Sequence, residues 1–255
     1  MIKCNFKALL VGVTALSAYF SFSCAADTVQ VAVAANFYQP LQQIAQLFEQ
    51  DTQHKMQISV GSTGKLYAQI INGAPFEVFF AADQARPSLL VKQQLALAES
   101  QRSYAQGQLV LWSPNASLVD QQGKVLSSNT FRHLGICNPK TAPYGAAAVE
   151  ALEQLGLYSK VQNKLVEGQS VAQTFQQISS GAVELGFVAL SQVLVDGEIS
   201  QGAAWLVPGQ LYSPIKQDVV LLTKGKDNPA ALALMAYLQT DSTQELIRAA
   251  GYSIP

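Results

Sequence analysis

The stretch "MQISVGSTGKLYAQI", residues 56–70, contains the unit from which this chain is built. Residues 56–60 have the composition of a β-strand, the loop "GSTG" follows at 61–64, and apolar residues from 66 to 71 predict a short helix. Strand, loop and helix in succession are typical of α/β proteins. Because the first N–H groups of a helix have no partner within it, such a loop favours an anion.

Lys65 gives this loop a superficial similarity to a nucleotide-binding phosphate loop. That motif requires glycine, four residues, and then Gly-Lys-Ser or Gly-Lys-Thr. Here the fifth residue before Gly64 is Ser59, and Leu66 stands where a magnesium-binding hydroxyl is needed. The spacing excludes the nucleotide motif, and we interpret Lys65 as a solvated lysine on the helix surface.

The composition narrows the classes of function. The chain has 255 residues, 49% of them hydrophobic, which suffices for two modest lobes or one large domain. Only 13% are charged, with 16 basic against 17 acidic residues. A protein that binds nucleic acid usually has a basic patch, and this chain has no basic run to form one. We therefore predict no nucleic-acid partner.

The first 26 residues have the pattern of a secretory signal peptide. Lys3 and Lys7 precede an apolar stretch at 8–20, and small residues then lead to an expected cleavage after Ala26. This predicts a periplasmic protein. The alternative is a lipoprotein signal acylated at Cys24, although the residues "SFS" before this cysteine match that signal poorly.

Signals for catalysis and metal binding are weak. Cys137 is the single cysteine after residue 26, and we interpret it as a small buried apolar residue. The segment "GQSVA", 168–172, lacks the last glycine of a hydrolase nucleophile motif around Ser170, and no obvious strand precedes it. Neither His54 nor His133 belongs to a recognisable catalytic motif. We predict no catalytic residues, no metal ligands and no cofactor.

The order of predicted elements indicates two α/β units. Three strand and helix pairs open the chain, a second cycle begins with a strand at 108–112, and a final strand with two helices is left over. This tail can return to the first unit, which requires two crossing strands and a hinge. We therefore predict lobe I from residues 27–107 and 214–255, and lobe II from residues 108–213.

Four loops bring small or hydroxyl residues to the start of a helix, at residues 34–36, 61–64, 142–145 and 168–171. In α/β proteins, ligands bind outside the carboxyl ends of the strands, where helix N-termini provide N–H donors. Four converging N-termini would hold a small anion without a lysine or arginine. Each loop also has a plainer interpretation: Asn36 and Ser170 can be helix caps, and Tyr144 can be a packing residue.

The segments "VAVAANF", "GSTGKLYAQI", "NGAPFEVFFAAD", "NPKTAPYG" and "LGFVAL", in this order, resemble the periplasmic molybdate-binding proteins of ABC transporters. The resemblance covers essentially the whole chain after residue 26. It implies a type II periplasmic binding protein, with two lobes that each contain a mixed sheet flanked by helices and that close on molybdate or tungstate. The implied partner is the permease of an ABC transporter, and nothing indicates a stable oligomer.

The resemblance also implies the ligand contacts. They fall on Asn36, Thr63, Tyr144 and Val171, the last through its backbone N–H, with further backbone donors at Ala35 and Ser62. This chain departs from many family members, which have serine at position 36, serine at position 63 and tyrosine at position 189, where Ala189 stands here.

The choice of ligand follows in part from chemistry. Loops that only donate hydrogen bonds suit a fully deprotonated dianion and disfavour hydrogen phosphate, whose proton would lack an acceptor. Sulfate would be excluded by cavity size alone, and molybdate and tungstate are too alike to separate. Binding of another oxyanion and a hydrolase that uses Ser170 remain as alternatives. We expect Thr63→Ala and Asn36→Ala to weaken anion binding with little change in melting temperature.

Overall fold

The structure, a computed structural model, describes residues 26–254. The predicted signal peptide, apart from Ala26, and the alternative acylation site Cys24 lie outside these residues. Within the described part of the chain, none of the helices has the length and apolar character that a membrane crossing requires.

The elements of the first half of the chain are β1 (Thr28–Ala34), α1 (Tyr38–Thr52), β2 (Lys55–Gly61), α2 (Thr63–Ile71), β3 (Val78–Phe80), α3 (Ala85–Lys92), β4 (Arg102–Gly107), β5 (Leu109–Ser113) and β6 (Leu134–Cys137). Those of the second half are α4 (Pro143–Gln154), α5 (Tyr158–Val161), β7 (Leu165–Gly168), α6 (Val171–Ser179), β8 (Leu185–Ala189), β9 (Leu194–Val195), β10 (Glu198–Ile199), β11 (Ala203–Leu206), β12 (Ile215–Leu221), α7 (Pro229–Tyr237) and α8 (Asp241–Ala249).

The first sheet has the strand order β2-β1-β3-β12-β4. β1 is parallel to β2 and to β3, as three successive strand and helix units predict. β12 inserts antiparallel between β3 and β4 and so brings the tail of the chain back to the first sheet. Helices α1, α7 and α8 cover one face of this sheet, and α2 and α3 cover the other.

The second sheet has the order β11-β5-β8-β6-β7. β6 is parallel to β7 and to β8, whereas β5 is antiparallel to β8 and β11. Both sheets are therefore mixed, as predicted. The chain passes between them twice, from β4 to β5 through Gln108 and from β11 to β12 through residues 207–214. The predicted fold class, two lobes joined by two crossing strands, is confirmed.

Several local predictions need correction. β4 and β7 were not predicted, because both are short and have polar residues within them. The statement that no strand precedes Ser170 is wrong, since β7 ends at Gly168. Helix α2 begins at Thr63, three residues before the predicted start. The segment "RPSLLVKQQLAL", 86–97, predicts a helix over its whole length, but α3 ends at Lys92, and Gln94 has the left-handed φ of 59°.

Candidate functional site

The four predicted loops meet at one cavity between the two sheets. The cavity is small, with a volume of about 10 Å³ open to the centre of a water-sized sphere. It is lined by Ala34, Ala35, Asn36, Ser62, Thr63, Ala82, Ala142, Pro143, Tyr144 and Val171. All six residues of the predicted ligand set belong to this lining, and none of the lining residues is charged.

The first loop lies between β1 and α1, where Ala35, Asn36 and Phe37 form a short 3₁₀ helix that continues into α1. Asn36 is buried, with 3% of its surface exposed. Its Nδ2 donates to Gln217 Oε1 at 2.8 Å and to Tyr252 Oη at 3.0 Å. Since both side-chain N–H bonds are thus used, the donor that Asn36 can offer to a ligand is its backbone N–H. The helix-cap interpretation is wrong, because the N-cap residue is Ala34 for the 3₁₀ helix and Phe37 for α1.

The second loop presents two adjacent hydroxyls at the start of α2, and they differ in their partners. Thr63 Oγ1 accepts a hydrogen bond from the Ala82 N–H at 3.1 Å, so its own proton is free to be donated. Ser62 is the N-cap residue, but its side chain does not cap the helix. Among the described residues its buried Oγ has no hydrogen-bond partner. A buried hydroxyl without a partner is costly, which points to a ligand at this position.

The third loop places Tyr144 in the first turn of α4, directly after Pro143. Only 2% of Tyr144 is exposed. Its Oη accepts a hydrogen bond from Gln217 Nε2 at 3.3 Å. Burial raises the pKa of this phenol well above its ordinary value, and Tyr252 and Tyr104 add to the effect. The hydroxyl therefore keeps its proton at neutral pH and can donate it.

The fourth loop connects β7 to α6. Ser170 caps this helix, because its Oγ accepts from the Gln173 N–H at 3.3 Å, and the cap interpretation of this residue is confirmed. Val171 is the first residue of α6 and is buried. As the first helical residue, its N–H has no acceptor within the helix.

A buried polar network lies behind the cavity, and sequence reasoning missed it. Gln217 on β12 is fully buried, and its Oε1 accepts from Tyr104 Oη at 3.0 Å as well as from Asn36. Tyr252 Oη donates to the Asn36 carbonyl at 2.8 Å, and Ser191 Oγ donates to the same carbonyl at 2.9 Å. The network thus connects the first sheet, the segment after β8 and the residues after α8.

One sequence signal pointed to this network without identifying it. Gln217 and Asp218 are buried polar residues in the middle of β12, between the exposed Lys216 and the buried apolar residues 219–221. Such an interruption indicates a buried polar group that needs partners. The sequence does not reveal those partners, because Tyr104 and Tyr252 come from segments that are far from β12 along the chain.

Gly107, at the end of β4, permits the close approach of two groups in the network. A Cβ atom at this position would lie 2.0 Å from Tyr144 Oη and 2.6 Å from Gln217 Nε2. Any side chain larger than hydrogen would displace the hydroxyl that faces the cavity. The glycine therefore has a steric role in the site although it does not line the cavity.

The two lobes are in contact at the edge of the cavity. The Gly64 N–H on α2 donates to the Thr141 carbonyl before α4 at 2.8 Å. Arg86, paired with Asp83, donates from Nη2 to the Lys140 carbonyl at 2.9 Å. These bonds hold the third loop against lobe I, so the structure is in a closed arrangement.

Cys137 and the two histidines, the other residues considered for catalysis, have contacts that are typical of a structural role. Burial raises the pKa of the Cys137 thiol to about 12, and this cysteine is packed in the core as predicted. His54 Nδ1 accepts from the Asp27 N–H, and His133 pairs with Glu184 at 3.3 Å. Neither histidine forms a hydrogen bond with Ser170 within the described residues. Ala189 is fully buried, does not line the cavity, and uses its N–H to bond Gln192.

Comparisons with known proteins agree with this geometry. The family described as bacterial extracellular solute-binding protein matches residues 29–253. The molybdate-binding protein ModA of Azotobacter vinelandii is 56% identical over 234 residues, which are 91% of this chain and 93% of that protein. ModA of Rhodobacter capsulatus is 43% identical over 248 residues, which are 96% and 97% of the two chains.

A solved structure is also similar over nearly the whole length. The periplasmic molybdate-binding protein of Azotobacter vinelandii superposes with a TM-score of 0.87 at 43% identity, covering 89% of this chain and 99% of that one. At this coverage the similarity extends over both lobes. The chain therefore belongs to the bacterial extracellular solute-binding proteins, in the group that includes the molybdate-binding proteins of Azotobacter vinelandii and Rhodobacter capsulatus.

Proposed function

We propose that this protein binds molybdate, or the isosteric tungstate, in the cavity between the lobes and delivers it to the permease of an ABC transporter. The observation that carries the proposal is the uncharged lining of the cavity, in which hydroxyl and backbone donors meet from four loops. A buried oxyanion is held well by such donors, because they are fixed in place and need no counter-charge. The relatives named for molybdate binding support the choice of anion.

We propose that the six lining residues predicted from the sequence contact the anion, some through a side-chain hydroxyl and others through the backbone N–H. Ser62, Thr63 and Tyr144 donate from their hydroxyls. Asn36 and Val171 donate from the backbone, and Ala35 offers a further backbone N–H. Two of the three hydroxyl oxygens already accept an amide hydrogen, from Ala82 and from Gln217, which leaves their protons for the ligand.

The division of the chain supports delivery by opening and closing. We propose a rigid lobe I of residues 27–107 and 214–255, and a rigid lobe II of residues 108–213, which rotate about the two crossings. The closed form holds the third loop through Gly64 and Arg86. Opening breaks these two contacts and separates Tyr144 and Val171 from the donors of lobe I.

We further propose that the protein acts as a monomer in the periplasm and is not an enzyme. The solved relative is a periplasmic protein, and residues 1–26 have the pattern of a signal peptide. Ser170 serves as a helix cap, and its hydrogen-bond partner is a backbone N–H and not a histidine. A hydrolase would need that base to activate the serine.

Isothermal titration of the purified protein with molybdate, tungstate, sulfate and hydrogen phosphate tests the proposal. We expect heat and tight one-to-one binding with molybdate and tungstate, and at least about a hundredfold weaker binding of hydrogen phosphate, whose proton finds no acceptor. Binding of sulfate or phosphate without binding of molybdate and tungstate would overturn it.

A further inference from the structure

Gln217 connects the cavity to the network behind it through a single carboxamide. Its Nε2 donates to Tyr144 Oη, and its Oε1 accepts from Asn36 Nδ2 and from Tyr104 Oη. The side chain is fully buried and does not line the cavity. It therefore acts on a ligand only through the residues that it contacts.

The hydroxyl groups at the far end of the network support this direction. The Asn36 carbonyl can only accept, and both Tyr252 and Ser191 donate to it. The Tyr252 oxygen is then an acceptor for Asn36 Nδ2, whose other hydrogen goes to Gln217 Oε1. Turning the Gln217 amide around would place its NH₂ group against the NH₂ group of Asn36.

The consequence reaches the cavity at Tyr144. Because Gln217 offers an NH₂ group to Tyr144 Oη, the phenol proton cannot point toward Gln217 and is left for the cavity. Gly107 allows the two groups to be this close, since any Cβ there would collide with both. Tyr144 consequently acts as a hydrogen-bond donor to whatever anion occupies the site.

We propose that Gln217 is a positioning residue that makes the site select anions by protonation state. It holds the Tyr144 hydroxyl as a donor, so that the oxygen facing it must carry no proton, as in molybdate or sulfate and unlike the protonated oxygen of hydrogen phosphate. This inference rests on the proposed function and adds the residue responsible for one part of its selectivity.

The decisive variant is Gln217→Glu, measured at pH 8 by titration with molybdate and with hydrogen phosphate. Because burial raises the pKa of this carboxyl, the titration is repeated above pH 8, where the ionised form gains population. The carboxylate still accepts from Asn36, but Tyr144 now donates to it and turns a lone pair toward the cavity. The added negative charge weakens the binding of both dianions. The ratio of their two dissociation constants therefore isolates the effect of the Tyr144 hydroxyl proton. We expect the preference for molybdate over hydrogen phosphate to fall by about tenfold or more.

Two further variants keep the test decisive. Gln217→Met removes the amide without adding charge and frees the Tyr144 hydroxyl to turn either way, so the preference should fall here also. Tyr104→Phe is the matched control, because it removes a different hydrogen bond to Gln217 and leaves the one to Tyr144 intact. The preference in this control should stay within about twofold of the wild type.

The outcomes separate this inference from the proposed function. If the wild type binds molybdate and both Gln217 variants keep its preference, the inference is wrong and the proposed function stands. The same holds if Tyr104→Phe reduces the preference as much as Gln217→Met. If Gln217→Glu does not fold, the preference for molybdate over hydrogen phosphate measured in Gln217→Met decides whether the inference holds. Absence of molybdate binding by the wild type contradicts the proposed function itself.

Discussion

The front and the back of the cavity are built in different ways. The front consists of four loops in which a strand passes into a helix, and each loop supplies donors from residues that are neighbours in the sequence. The back consists of Asn36, Gln217, Tyr104, Tyr252 and Ser191, and its bonds connect residues up to 216 positions apart. Local sequence thus provides the donors, and distant residues determine the direction in which some of them point.

The comparison explains why neighbouring residues in one loop differ in their roles. Within the described part of the chain the Ser62 hydroxyl has no hydrogen-bond partner, whereas Thr63 Oγ1 accepts from the Ala82 N–H. Asn36, which the family resemblance implied as a ligand contact, has given both side-chain hydrogens to the back of the site. The expectation that Thr63→Ala and Asn36→Ala leave the stability unchanged is therefore revised, since each would leave a buried group without its partner.

Gly107→Ala should have the largest effect, because it disturbs the contact between the network at the back of the cavity and Tyr144 at its front. The new methyl group would displace Tyr144 Oη and Gln217 Nε2. We expect molybdate affinity to fall by about a hundredfold and the free energy of unfolding to fall by about 1–3 kcal/mol. Titration and denaturant unfolding measure both. Gly209→Ala is the control, since a Cβ there meets no atom within 4 Å. Wild-type affinity in Gly107→Ala would contradict the steric role of this glycine.

Two variants, Ser62→Ala and Thr63→Val, test whether the adjacent hydroxyls of the second loop differ in their contribution to stability. Among the described residues the Ser62 hydroxyl has no hydrogen-bond partner. Ser62→Ala should therefore lower the affinity about tenfold and leave the ligand-free protein at least as stable as the wild type, because it removes a buried hydroxyl without a partner. Thr63→Val should weaken binding similarly and also destabilise the ligand-free protein by about 1–3 kcal/mol, because the buried Ala82 N–H loses its acceptor. Equal stability of the two variants would refute the distinction.

Alkaline pH should act on the back of the site. Burial raises the pKa of Tyr252 to about 12, and it raises the pKa of Tyr104 and Tyr144 well above their ordinary value. In the unfolded chain these phenols lose their protons near pH 10. Their contribution to stability is therefore complete below about pH 10 and is lost as the pH rises toward 12. Unfolding measured from pH 8 to 11.5 checks this, and a flat profile above pH 10 would argue against it.

Ser170→Ala tests a residue of the fourth loop that does not line the cavity. Loss of the cap on α6 should reduce the free energy of unfolding by about 1 kcal/mol. Molybdate affinity should stay within about twofold, because Val171 donates from its backbone. Ser179→Ala, near the other end of α6, controls for the loss of a hydroxyl. A tenfold loss of affinity in Ser170→Ala would assign the serine to the ligand.

Lys65→Ala is expected to have the smallest effect. Lys65 is exposed on α2, directly after the residues that form the second loop. Its replacement should change the free energy of unfolding by no more than about 0.5 kcal/mol, and molybdate affinity should stay within about twofold. A marked dependence of affinity on this lysine, seen by titration at low and high salt, would mean that charge contributes to the site.

Much of the fold could be predicted because its signals are local. Leu41, Ile44 and Phe48 lie at positions i, i+3 and i+7, a spacing that predicts an amphipathic helix, and all three are buried in α1. Strand β7 could not be predicted, because it has only four residues, "LVEG", and only two of them are apolar. It exists as a strand because β6 provides a parallel neighbour along its whole length.

From the sequence alone it could be predicted that hydroxyl and backbone donors lie at the starts of helices. The hydroxyl residues are read directly from the sequence, and a free N–H at a helix start depends only on local conformation. Together with the family resemblance, the sequence also located the residues that line the cavity. Only the tertiary structure decided which way the donors point. A hydroxyl or amide takes its direction from all of its neighbours, and Gln217 meets Tyr144 and Asn36 only when β12 returns to the first sheet. The choice between donor and acceptor at Tyr144 is therefore a property of the folded protein.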